Sequence, residues 1–337
     1  MGEPPSQLLL ASANQIRTCP RCRQDFIDAF GMPELWWSDY CRNSNGYFGC
    51  ETSDAMASSG ISMWAFFEVK QLEEGLRYRW HKINIFTRWL LSTKQTIILL
   101  FDLQPPMVER LPCPLLDPES ANLADPFWAY ARIAAEVLRL EDSAVMSIRN
   151  HVRKLELQRQ PAGKPQPDYR YLHDIARHAI HVSETLDVAT QTMGRIVMQH
   201  DIFMKSMSDQ DISQNTHSRL QFFESFIESL RHRSVSNEKR LLNEIQLAYN
   251  TVAQYDAGTS VEIGRSAQSD SASMKTIAFV TLTFLPPTFI SAIFSMSFFD
   301  YSVDSGWTVS NKFWVYWAFA VPTTVITVIL WFVSRGS

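Results

Sequence analysis

Met274, Thr281, Thr288 and Ser295 are spaced seven residues apart, and three of the four carry hydroxyls. Seven residues at 100° each fall about 20° short of two full turns, so on a helix these positions share one face. A hydroxyl face on an otherwise apolar helix suits water or neighbouring helices, because lipid offers it no partner. Several copies packed about an axis would make it a narrow polar path. A local use competes with this one. Ser and Thr hydroxyls often bond the carbonyl four residues back, and Pro286 and Pro287 leave two carbonyls in need of donors. Spacing alone leaves both uses open.

Cys19 and Cys22, in the run Cys-Pro-Arg-Cys, could join Cys41 and Cys50 to offer zinc four thiolates. The second pair is spaced too widely for the usual zinc pattern, and ordinary reduced cysteines are the expectation. With five cysteines and no cleavable signal pattern, a reducing cytosolic setting is expected. His173, His178 and His181 read as surface histidines of an amphipathic helix. The opening Met-Gly-Glu-Pro-Pro-Ser formally fits myristoylation of Gly2, although Glu3 and two prolines are unfavourable there. There is no Gly-rich phosphate loop, no nucleophile elbow and no isolated carboxylate pair, so an enzyme is not expected. A net charge of −4 gives no basic field for nucleic acid.

The elements that position the hydroxyl face are legible. Ile277 to Met296 and Phe313 to Val333 are uncharged runs. Each matches a hydrocarbon layer roughly 30 Å thick at about 1.5 Å per residue. Trp314, Tyr316, Trp317 and Trp331 lie near the ends of the second, where amphipathic rings favour the headgroup level. Between the runs lies a short loop, 297–312, with Asp300 and Asp304. Lys275 and Arg265 before the first run and Arg335 after the second place both termini on the cytosolic side.

Upstream, ISMWAFFEV, RYRWHKINIF and TIILLFDL read as strands, the last as one covered on both faces. Asp125-Pro126 predicts a helix start, with Ile133, Val137, Leu140, Ile148, Val152 and Leu155 on its apolar face. QPAGKPQP breaks that helix, and a second runs from about Asp168 to Met204. A third starts near Ser218 and meets no proline before Pro286, so it can run into the first apolar span. Helix propensity sags around Gly258 and Gly264, which leaves a flexible linker as the alternative there. Glu224, Glu228, Glu238, Glu244, Glu262 and Asp270 lie along this stalk as a solvated face. Glu262 and Asp270, nearest the membrane, are the candidates for cation-attracting rings in an oligomer.

The stretch MKTIAFVTLTFLPPTFISAIFSMSF, followed by an acidic loop and a second span, resembles the membrane end of the CorA family of divalent-cation transporters. The matching features are Met274-Lys275, Pro286 followed by Thr288-Phe289-Ile290, and a tripeptide centred on Met296. The resemblance implies an α+β cytosolic domain, a long helical stalk and two transmembrane helices in a funnel-shaped homopentamer. It implies a pore lined by Met274, Ile277, Thr281, Leu285, Thr288 and Ser295, and Mg2+ or a similar divalent cation as the transported ion, without a resident cofactor. The plasma membrane is the expected location. The divisions implied are 1–124, a helical hairpin at 125–217, a stalk at 218–276, spans at 277–296 and 313–333, and a tail at 334–337.

Where the family carries Gly-Met-Asn, this chain has Ser295-Met296-Ser297, as divergent fungal CorA-like proteins resemble the family without its signature. A serine hydroxyl accepts hydrogen bonds but reaches less far than an asparagine amide. The alternative is therefore a non-conducting, membrane-anchored scaffold or sensor that keeps the fold and has lost the ion filter.

Overall fold

Apolar side chains alternate along three successive strands, and that alternation builds two cores on opposite faces of one sheet. The computed structural model describes residues 6–53, 59–105, 107–116, 123–158, 163–207, 211–304 and 306–336, with backbone alone at 74, 114, 294–298 and 334–336. Gly2 lies outside the described residues, as does part of QPAGKPQP. The chain divides into two units, Met1–Asn250 and Thr251–Ser337.

In the first unit the sheet strands are β1 (Ser6–Ala11), β2 (Gly46–Ser53), β3 (Gly60–Leu72), β4 (Tyr78–Leu90) and β5 (Thr96–Phe101), in the order β1-β5-β4-β3-β2. β1 runs parallel to β5 and the other pairings are antiparallel. Met63, Ala65, Phe67 and Val69 of β3, with Ile83, Ile85, Ile98 and Leu100, enter the larger core. Trp64, Phe86, Leu99 and Phe101 enter the smaller one. A one-residue slip would exchange the two sets, so the pattern fixes the register. β5 is covered on both faces, as its unbroken apolar run predicts.

The smaller core is closed by α1 (Ala13–Thr18), α2 (Pro20–Phe30) and a tight turn at Glu34–Trp37. Trp36 lies 4.5 Å from the Phe101 ring. Gly31 ends α2 in the left-handed region, φ 64°, where a side chain would be strained, and its N–H donates to the Ile27 carbonyl at 2.9 Å. Short helices α3 (Asp39–Arg42), α4 (Met107–Arg110) and α5 (Pro112–Leu116) fill connections.

The larger core is closed by α6 (Trp128–Leu157), α7 (Tyr169–Ser206) and the beginning of α8 (Asp211–Phe298). The expected apolar face of α6 is buried at Ile133, Val137 and Leu140, and α7 and α8 bury Leu172, Ile175, Leu186, Leu220, Leu230 and Ile245 beside it. Asp168 caps α7, its carboxylate accepting the Tyr171 N–H at 3.0 Å. Arg231 pairs with Asp187, and Arg240 reaches Glu156 at 2.5 and 2.8 Å, linking α8 to α7 and to α6.

Four features depart from the local reading. β1 and β2 were not expected: SQLLLA is short, and GYFGCETS carries two glycines. α6 begins at Trp128 because Asp125 caps earlier, accepting the Phe127 N–H at 2.8 Å, and the turn holding Pro126 precedes the helix. α8 begins at Asp211 and stays helical through Gly258 and Gly264. Finally, 297–312 is not simply a loop: β6 (Phe299–Ser302) and β7 (Gly306–Val309) pair as a hairpin.

In the second unit, the end of α8 lies against α9 (Trp314–Gly336). Ile290 and Ala320 are buried there, Phe279 is 5.6 Å from Trp331, and the Tyr316 hydroxyl donates to the Pro287 carbonyl at 3.5 Å. Pro286 and Pro287 sit inside the helix and are tolerated. The N–H groups they lack would have reached the carbonyls of Leu282 and Thr283.

Candidate functional site

Leu282, Thr283, Pro286, Pro287 and Ile290 are partly or fully buried, and they form the side of α8 that α9 covers. Met274, Ile277, Thr281, Leu285 and Thr288 are all exposed. Leu285 is 62% exposed and Ile277 66%. The heptad face is thus left exposed, but it borders the α9 contact: Thr281 and Leu285 line a groove of about 640 Å³ with Thr327, Leu330 and Trp331 of α9. An open groove of about 540 Å³ runs along Thr281, Phe284, Leu285, Thr288, Phe289 and Ala292.

The local use of the hydroxyls is present. Thr281 donates to the Ile277 carbonyl at 2.8 Å and Thr288 to the Phe284 carbonyl at 2.6 Å. A hydroxyl has one hydrogen and two acceptor lone pairs. With the hydrogen given to the backbone, each oxygen presents acceptors only. The side chains of Ser295, Met296 and Ser297 lie outside the described residues, although their backbone falls in the last turns of α8.

α8 and α9 are both long and apolar enough to cross a membrane, and almost none of either apolar stretch is buried. Phe284, Phe289, Trp314 and Leu330 stand more than half exposed. Neither apolar stretch is thus buried as the core of a folded domain would be, and an apolar surface of this extent marks a membrane or protein contact.

The acidic candidates lie at both ends of this apolar segment. Asp300 and Asp304 belong to the β6–β7 hairpin and its tip, both exposed. Glu262 and Asp270 sit in a stretch of α8, 253–281, where every residue is exposed. Further back, burial and Glu228 raise the Glu224 carboxyl, while burial and Glu156 raise that of Glu244.

Two expectations about ligating residues are corrected. Cys19 and Cys22 are joined in a disulfide, while Cys41 and Cys50 remain free, so the four do not meet. Among the described residues no group of three or more His, Cys, Asp or Glu could hold a metal ion. The helix start at Pro20 folds Cys19 and Cys22 onto each other, whereas Cys41 and Cys50 are carried by α3 and β2.

His178 is not a surface residue: it is 2% exposed, with its ring 5.4 Å from Tyr78. Burial and the neighbouring Lys70 push it down to about 4. Lys70 is itself buried, donates to His181 Nδ1 at 2.6 Å and lies 4.3 Å from the Tyr78 ring centre. Local periodicity gave no sign of it, because the sheet brings β3 beneath α7.

Other buried polar groups escaped the reading. Asp125, Glu141 and His200 have no exposed surface. The helix-start pattern marked Asp125, but its partner His200 is distant in sequence.

No family model matches the chain. A protein of Aspergillus versicolor described as Notoamide biosynthesis cluster protein M' is 31% identical over 297 residues. The match covers 80% of this chain and 63% of that protein, so the chain spans less than two thirds of its relative's length. Among solved structures, the ZntB cytoplasmic domain from Vibrio parahaemolyticus overlays with a TM-score of 0.50 at 8% identity, covering 75% of this chain and 91% of that one. The full-length CmaX protein overlays with a TM-score of only 0.38 at 15% identity, covering 97% and 87%. The α+β first unit, the long helix and the C-terminal helix fit a CorA-like fold.

Proposed function

We propose that this chain is an integral membrane protein that lets divalent cations, Mg2+ or similar, cross the bilayer through an oligomeric pore lined by the apolar end of α8. One observation carries the reading: Thr281 and Thr288 are exposed along α8, and each gives its hydroxyl hydrogen to a backbone carbonyl, which leaves acceptor-only oxygens. Mg2+ sheds its water reluctantly, so a path for it must grip the hydrated ion. The hydrogens of coordinated water point outward, and acceptor oxygens receive them. Met274 and Leu285, on the same face, would form apolar constrictions that close by dewetting. Asp300 and Asp304 would concentrate cations at one mouth, and rings of Glu262 and Asp270 at the other. The membrane potential would drive entry with about 2.3 kcal/mol per charge per 100 mV.

The uncovered stretch 253–281 supports assembly. A helix draws most of its stability from tertiary packing, and every residue of this stretch is exposed, with Phe279 and Thr281 meeting α9 only at its end. Copies of the chain, five by the resemblance, would supply it. A cytosolic location for both termini follows from the flanking Arg265, Lys275 and Arg335.

A second reading is favoured by Ser295-Met296-Ser297 standing where Gly-Met-Asn is expected. A non-conducting scaffold or sensor would keep the fold and lose the filter. Purified protein in liposomes separates the two: divalent flux above empty vesicles supports the pore, and none for any divalent ion supports the scaffold. Chemical cross-linking of the purified protein tests assembly, five bands supporting a pentameric pore and one or two bands refuting it.

A further inference from the structure

We propose that Cys19 and Cys22 form a redox-active pair that exchanges with small thiols and disulfides. This site is separate from the membrane segment, and the inference does not depend on whether the chain conducts ions.

The pair sits at the start of α2. Cys19 is the N-cap, Pro20 the first helical residue, and Cys22 lies in the first turn, with the two Cα atoms 5.2 Å apart. The Cys22 N–H donates to Cys19 Sγ at 3.2 Å. A free N–H and the positive end of a helix both favour thiolate over thiol at that position. Arg17 and Arg23 flank the pair in sequence, and the Nε of each is buried without a partner among the described residues. The Arg17 guanidinium lies 5.2 Å from the Trp36 ring centre. Both sulfur-bearing residues are partly exposed, so a small thiol can reach them.

Cys41 and Cys50 provide a contrast. Burial pushes the Cys50 thiol up to about 11 and raises that of Cys41, which keeps both protonated and unreactive at neutral pH. Phe26 lies 6.0 Å from Trp37 and 6.3 Å from Phe101, anchoring α2 to the sheet at its far end. Opening the disulfide therefore leaves the helix in place.

In the reduced pair the Cys19 thiolate attacks one sulfur of a small disulfide RSSR, forming a mixed disulfide and expelling RS−. Cys22 loses its proton to solvent and attacks the Cys19 sulfur, expelling the second RS−. Both leaving thiolates take up protons, so two electrons and the Cys22 proton pass from the protein, and solvent supplies the second proton, to give two RSH. Two thiols of the glutathione class reverse the process.

The test uses full-length protein in detergent, equilibrated in glutathione buffers of graded ratio, quenched, alkylated with iodoacetamide and mapped by peptide mass. Cys19 and Cys22 should convert together from bridged to doubly alkylated. Cys22→Ser should trap glutathione on Cys19, and should alkylate at Cys19 at least tenfold faster at pH 7 than Cys19→Ser does at Cys22. Serine is a good N-cap, so both variants retain the helix start. The proposal is overturned if the two behave as independent free thiols at every ratio. It is equally overturned if the bridge survives excess dithiothreitol in the folded protein, or if the alkylation rates are equal. The wild-type titration decides even should a variant misfold.

Discussion

Asp125 and His200, both without exposed surface, meet at 3.0 Å through Oδ2 and Nε2. His200 in turn faces His217, Nδ1 to Nδ1, at 2.9 Å. The chain ties the entry to α6, the end of α7 and the start of α8. With the Nε2 hydrogen given to Asp125, the two facing nitrogens hold one proton between them. A second would set two N–H groups against each other.

Removing the carboxylate should therefore be costly. Asp125→Ala leaves His200 Nε2 buried without a partner and uncaps the Phe127 N–H, at a combined cost of about 3 kcal/mol. Thermal unfolding of the detergent-solubilised protein measures this. An unchanged midpoint would show that the contact contributes nothing.

The same cluster gives a pH dependence. Burial, followed by the charge of His200, holds His217 below the usual histidine value. The unfolded chain then binds more protons than the folded one as pH falls through about 6.5 and below, so stability declines on acidification. His217→Gln should flatten that decline in a melting series between pH 7.5 and 5.5.

Glu141 has the opposite sign. It is fully buried, neither carboxylate oxygen has a hydrogen-bond partner among the described residues, and burial raises it well above the usual range. The folded protein keeps the proton that the unfolded chain loses near pH 4.3, so stability falls as pH rises through the window above that value. Glu141→Leu removes the penalty and should raise the melting midpoint, more at pH 8 than at pH 5. A lower midpoint at pH 8 would refute this account.

Periodicities that the chain carries along its own length were readable without coordinates. The alternation in ISMWAFFEV set the β3 faces, and the spacing of Ile133, Val137 and Leu140 set the buried side of α6. His178 was misread because its spacing suits a helix surface, while the surface at that point is covered by the sheet.

For the pore reading, Thr288→Val keeps shape and β-branching but removes both acceptors. Divalent flux in liposomes should fall by roughly tenfold, the loss of about 1.4 kcal/mol of ion–water contact. Native flux in Thr281→Val and Thr288→Val alike would remove the hydroxyl face from the path.

Restoring the family-like tripeptide separates the two functional readings. Ser295→Gly together with Ser297→Asn should leave growth of a magnesium-uptake-deficient cell unchanged if the native chain already supports it. Growth only with the double variant would favour the scaffold.

By itself the sequence determined the two apolar spans, the heptad of hydroxyls, the strand alternation and the helix faces. Each is a repeat between residues that share one element, and backbone geometry converts such repeats directly into faces. Only the tertiary structure decided which residues of α8 meet α9. It also decided that Lys70 lies beneath His181, that Asp125 finds His200, and that Cys19 joins Cys22 rather than a quartet. Those pairings depend on how elements pack and how a helix start folds, and burial acts on side chains that no local spacing brings together.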